Sequence, residues 1–138
     1  MSRIVTFAAT QLSISWDIEA NMEKAEKAVR EAHAAGAQVI LLQELFEAPY
    51  FCKTQHYKYL DLAKPLGGYP LIARFARLAA DLEVVLPISY YERDTNSFLN
   101  SLVMIEADLS VLNNARQSHI PDGPGYCEKF YLTPGDTG

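Results

Sequence analysis

The sequence predicts an α/β fold: a strand–helix–strand unit with its strands in parallel, running on into antiparallel hairpins. Two observations carry that prediction. Short apolar runs at residues 4–9 and 39–42 flank a stretch, residues 18–35, whose apolar positions recur every three or four residues. Further on, the strand-like runs 84–90 and 100–106 are separated by the turn-forming Asp94-Thr95-Asn96.

The run 4–9 suits a strand buried on both faces. Asp17 then stands at the N-cap position of a helix. Met22, Ala25, Val29 and Ala32 mark the helix's buried face, Glu23, Lys24, Glu26, Lys27, Arg30 and Glu31 its polar face, and Gly36 its stop. The run 39–42 completes a crossover whose chemistry belongs at the carboxyl ends of the strands. Glu44 stands there. An aromatic loop from Leu45 to Cys52 follows, then a short helix over 55–63 and a breaker at Pro65-Leu66-Gly67-Gly68-Tyr69-Pro70. Leu71, Phe75, Leu78 and Leu82 trace a second helix, and after the hairpin Ala107-Asp108 turns into a weak strand near 110–112. Residues 116–138 crowd glycine and proline together with acids and aromatic side chains. Such density stops both helix and strand periodicity. Ile120 and the aromatic residues still need burial, so an ordered loop is expected.

The 138 residues suffice for one domain with a core, and 49% hydrophobic with 21% charged residues is a globular composition. A net charge of −5 argues against nucleic acid or an anionic membrane surface as partner. No apolar run approaches the ~20 residues of a membrane span, and the N-terminus lacks the pattern of a signal peptide. Two distant cysteines, Cys52 and Cys127, form neither a metal spacing nor a disulfide framework. A reduced, cytoplasmic chain without cofactor is expected.

Glu44 is the leading candidate for chemistry. Walled by Leu41, Leu42, Leu45 and Phe46, its carboxylate should be poorly solvated and thereby suited to a general base. The other reading is an acid that caps the next segment or pairs with a lysine. Glu128, between Cys127 and Lys129, reads on its own as half of a solvated surface pair. Cys127 with His119 as base would make a thiol nucleophile, but the usual local context is missing, and a lone cysteine more often fills apolar space. His33 belongs on the helix surface and His56 beside the short helix, neither in a metal set. Gly67-Gly68 lacks the lysine of a phosphate cradle.

Several of these stretches together resemble the nitrilase superfamily of carbon–nitrogen hydrolases. They are the segment from Gly36 to Phe46, the strands from Leu86 to Arg93 and from Asn100 to Ile105, and the closing Ser118-His119-Ile120-Pro121-Asp122-Gly123-Pro124-Gly125-Tyr126 with Glu128-Lys129-Phe130-Tyr131. Within the superfamily the closing motif is most similar to the N-carbamoylputrescine amidases, with the β-ureidopropionases as near relatives. The resemblance implies a four-layer α-β-β-α sandwich that pairs across subunits, of which residues 1–138 would be the N-terminal half. It also implies a Glu–Lys–Cys set: a thiolate attacks the carbamoyl or amide carbon, glutamate serves as general base, and lysine stabilises the oxyanion. N-carbamoylputrescine would yield putrescine, ammonia and carbon dioxide.

By position, Glu44 matches the general base and Glu128 a supporting glutamate in the closing loop. Gln117 stands where the resemblance places the lysine, and glutamine brings no positive charge. Leu109 and Asn113 stand where glycines are usual and Ala115 where an aromatic residue is usual. The nucleophile has no counterpart, since the family's cysteine lies beyond the closing loop and Cys127 is not that residue. The 138 residues alone are therefore expected to be inactive. Two rival expectations stand beside this one: a non-catalytic interaction protein pairing through exposed sheet edges, and a self-sufficient thiol enzyme built on Cys127 and His119.

Overall fold

The structure, a computed structural model, describes residues 2–136, so Met1 and the last two residues of the closing stretch, Thr137 and Gly138, lie outside the described residues. Strand β1 (Phe7–Ala9) pairs in parallel with β2 (Val39–Leu41), Phe7 opposite Val39 and Ala9 opposite Leu41. Helix α1 (Ile18–Ala34) makes the crossover. Asp17 caps it by accepting from the Ala20 N–H, and Gly36 leaves it at a φ of +94°, a conformation that favours glycine.

Helix α2 (Pro70–Leu82) starts on a proline already set to helical φ and ends at Glu83 in the left-handed region. The expected short helix is a 3-10 segment, Tyr57–Leu62. Strands β3 (Leu86–Asp94), β4 (Ser97–Ile105) and β5 (Val111–Arg116) form an antiparallel meander. β5 runs four residues past the expected weak strand, because Asn114, Ala115 and Arg116 continue to pair with β4. Ile40 donates to the Val85 carbonyl and Val85 to the Gln38 carbonyl, at 3.0 and 2.9 Å. These bonds join the two sheets in the order β1-β2-β3-β4-β5.

One face of this sheet is the core. Leu86, Ile88, Tyr90, Val103 and Ile105 pack with Phe75, Leu78 and Ala79 of α2 and with Ala25 and Val29 of α1. A second cluster gathers Leu45, Phe51, Cys52, Tyr91, Ile120, Tyr131 and Leu132, so the closing stretch is ordered by its aromatic residues. The expectation that β1 is buried on both faces is overturned. Phe7 is 72% exposed and Ile4 89%, because β1 is the edge of the sheet and no described layer covers its far side. Among the described residues, no helix is long and apolar enough to cross a membrane.

Candidate active site

Glu44 lies just beyond the carboxyl end of β2. Leu45, immediately after it, adopts a φ of +49°, a left-handed conformation that costs a residue with a side chain about 1–2 kcal/mol. This turn sends Leu45 into the aromatic cluster and Phe46 into the main core, and the Leu45 N–H donates to Ser89 Oγ at 3.1 Å. Glu44 is left on the other side, exposed. The expectation of a poorly solvated carboxylate is thus corrected. Leu45 and Phe46 are buried by packing away from it, Leu42 is buried at the edge of the cleft that Glu44 lines, and Leu41 is itself exposed.

Glu44 instead has a polar partner that sequence reading missed. Asn100, on β4 and buried, donates from Nδ2 to Glu44 Oε1 at 2.6 Å and to Gln117 Oε1 at 2.9 Å. The Gln117 N–H returns a bond to the Asn100 carbonyl at 2.9 Å, carrying the β4–β5 ladder one residue past β5. Glu44, Asn100 and Gln117 line a cleft of about 470 Å³, together with Leu41, Leu102 and Ala115. The available signal was a polar residue, Asn100, at the head of an apolar run of strand type.

Glu128 comes from the closing stretch, on a single 3-10 turn (Glu128–Phe130), and it is buried. Read alone as a solvated surface pair, it is corrected too. The stretch folds back because the Cys127 N–H donates to the Cys52 carbonyl at 2.7 Å and Tyr131 Oη to the Thr54 carbonyl at 2.5 Å. Tyr50 Oη donates to Glu128 Oε1, while Oε2 has no partner among the described residues. The surroundings of Cys52 connect this turn to the cleft. Burial pushes the Cys52 thiol up to about 12, and the charges of Glu128 and Glu44 and the nearby Cys127 all push in the same direction. Burial likewise raises the Tyr50 hydroxyl, with its bond to Glu128 and the charges of Glu128 and Glu44 adding to the shift. The two glutamates therefore share one electrostatic neighbourhood.

Cys127 and His119 are not brought together. Cys127 Sγ lies 3.6 Å from the Gly123 carbonyl, and His119 is exposed. His33 is exposed on α1, and His56 caps the 3-10 segment by accepting from the Lys58 N–H. Among the described residues, no group of three or more His, Cys, Asp or Glu is placed to hold a metal ion.

Residues 6–137 match the family model described as carbon-nitrogen hydrolase. The chain belongs to the carbon–nitrogen hydrolase family. It is 50% identical to an N-carbamoylputrescine amidase of Solanum tuberosum, over 99% of this chain and 46% of that relative. It is 42% identical to a citrullinase of Francisella tularensis, over 97% and 47%. A carbon–nitrogen hydrolase from Helicobacter pylori G27 superimposes with a TM-score of 0.87 at 34% identity, over 96% of this chain and 46% of that one. The chain thus spans about half the length of the relatives it matches. As a member of this family it supplies a helix layer and a sheet layer.

Proposed function

We propose that residues 1–138 are part of one carbon–nitrogen hydrolase domain and carry the glutamate side of a site that cleaves carbamoyl or amide C–N bonds, with N-carbamoylputrescine as substrate. The observation that carries this reading is the convergence of Glu44, Asn100 and Gln117 on one cleft, in a chain half identical to N-carbamoylputrescine amidases. The exposed Glu44 carboxylate is the general base. It takes the proton of a thiol that attacks the carbamoyl carbon, and it returns that proton to the departing ammonia. Water then releases the acyl group from the sulfur. Glu128, held by Tyr50, is the supporting acid.

Cys52 is not that thiol, since its side chain is buried and holds its proton at neutral pH. Gln117 occupies the place of the family lysine and offers the oxyanion a neutral N–H donor. Losing one oxyanion donor costs ~10²–10³ in rate, so Gln117 should slow any completed site, and these residues alone, in which neither cysteine matches the nucleophile, should be inactive. Self-association as a homo-oligomer belongs to the same proposal. The exposed Phe7 and Leu41 support it, and they equally support the rival in which the chain binds a partner without turnover.

The test is a chimera joining these residues to the remaining half of the Solanum tuberosum relative, with ammonia release as readout. The chimera should act on N-carbamoylputrescine in preference to citrulline, and Gln117→Lys should raise kcat by ~10²–10³. The unjoined chain should release no ammonia. A chimera that is silent even with Gln117→Lys would sink the reading.

A further inference from the structure

The bonds of Asn100 run in one direction, and its partners decide which. A carboxylate only accepts hydrogen bonds, so the end of Asn100 that is 2.6 Å from Glu44 must be its NH₂ group. The Asn100 carbonyl oxygen is then turned toward Ser89 Oγ, 3.4 Å away. The same NH₂ group faces Gln117 at 2.9 Å, and two NH₂ groups cannot bond to one another, so Gln117 must present its oxygen to Asn100. The Gln117 NH₂ group is thereby turned away from Asn100. Neither that group nor Glu44 Oε2 has a partner among the described residues, and both residues line the cleft.

We infer that Asn100 is a positioning residue that transmits the orientation of the Glu44 carboxylate to the Gln117 amide, leaving an unpaired NH₂ donor on Gln117 beside an unpaired carboxylate oxygen on Glu44. A lysine at this place could not join the relay, because an ammonium group has no acceptor for the Asn100 NH₂. The device therefore belongs to Gln117. One donor and one acceptor on the same cleft have the polarity of a terminal carbamoyl group, whose oxygen would accept from Gln117 and whose NH₂ would donate to Glu44. That assignment of a ligand rests on the function proposed above; the relay itself does not. Asn100 is suited to the role because it is buried, its own N–H and C=O lie within the β3–β4–β5 sheet, and Ser89, which approaches its oxygen, is held in turn by the Leu45 N–H.

The side-chain NH₂ signals of Gln117 in ¹⁵N-labelled chain report the relay directly. Glu44→Ala removes the acceptor for Asn100 without touching Gln117, and it should shift those signals. The same change made in an Asn100→Ala background should leave them where Asn100→Ala alone put them. Should Asn100→Ala fail to fold, Asn100→Leu keeps a similar volume and removes the side-chain N–H donors without adding charge. N-carbamoylputrescine is the ligand probe, and putrescine, lacking the carbamoyl group, is its control. The probe should move the Gln117 signals, putrescine should not, and Asn100→Ala should weaken the probe's binding about tenfold, as for one well-placed hydrogen bond. Gln117 signals indifferent to Glu44→Ala, or still responding once Asn100 is gone, would overturn the inference. A working relay that ignores N-carbamoylputrescine would uphold it while removing the proposed substrate.

Discussion

Arg116 and Gln117 are neighbours in the chain, and their side chains leave the sheet on opposite faces. On the core side, Arg116 is saturated. It donates from Nε and Nη2 to both oxygens of the buried Glu92, at 3.0 and 2.7 Å, from Nη2 to Asp94 at 2.6 Å, and from Nη1 to Asp136 at 3.0 Å. Glu92 also accepts from Ser101 Oγ and from Asn114 Nδ2. On the other side, Gln117 and Glu44 share the single donor group of Asn100 and, among the described residues, keep unpaired atoms in an open cleft. The same alternation sorts β4, with Ser101 serving the closed network and Asn100 the open one. Closed polar networks hold a sheet in register, whereas a site that must receive a ligand keeps donors and acceptors in reserve.

The largest expected effect tests this contrast directly. Arg116→Ala strands the buried Glu92 carboxylate and should cost about 3 kcal/mol in urea unfolding, while Gln117→Ala, on the open side, should cost under ~1 kcal/mol. Equal losses would erase the distinction. Next, Tyr50→Phe removes the one donor, among the described residues, to the buried Glu128 carboxylate and should cost about 2 kcal/mol; no change in the unfolding midpoint would mean that Glu128 is satisfied otherwise.

Acid sharpens the comparison further. Burial alone would raise the Glu92 carboxyl, but the bonds from Arg116, Ser101 and Asn114 outweigh it and hold it below its ordinary range. A depressed acid stabilises the fold above its unfolded value, and that stability is lost as pH falls through the folded value. Glu47 is opposite in sign. Burial raises it, with the bond from Tyr69 and the charge of Lys64 only partly offsetting. Its contribution is present below the unfolded carboxyl value and is lost as pH rises through the window up to its folded value. Unfolding midpoints measured across the carboxyl range should lose their acid-side slope in Glu92→Gln and gain stability on the higher-pH side in Glu47→Gln. The smallest effect is a gain. Leu109 sits at a φ of +73° with its side chain 53% exposed, so Leu109→Gly should stabilise by about 1 kcal/mol.

The helices were legible because the contacts that cap and face them are local. Asp17, Gly36 and the Met22–Ala25–Val29 stripe behave as their spacing says. The glutamates were legible as positions but not as environments. A run of leucines around Glu44 reads as a dry pocket, yet the positive φ at Leu45 turns two of those walls away. Glu128 reads as a surface acid until the Cys127–Cys52 backbone bond folds it under Tyr50. Asn100 carried no signal of its own beyond its polarity, because its three partners lie 11, 56 and 17 residues away.

By itself the sequence determined the α/β class, the parallel opening unit and the hairpins after it, and it put Glu44 at a strand end; these follow from periodicity and local turn chemistry, which act over a few residues at a time. Gln117 and Glu128 were singled out as site residues only by the family resemblance. Only the tertiary structure decided that Glu44 is open, that Glu128 is buried, and that Asn100 binds Glu44 and Gln117 together. Solvation and hydrogen-bond direction depend on which distant segments close over a side chain, and residue order alone does not state that.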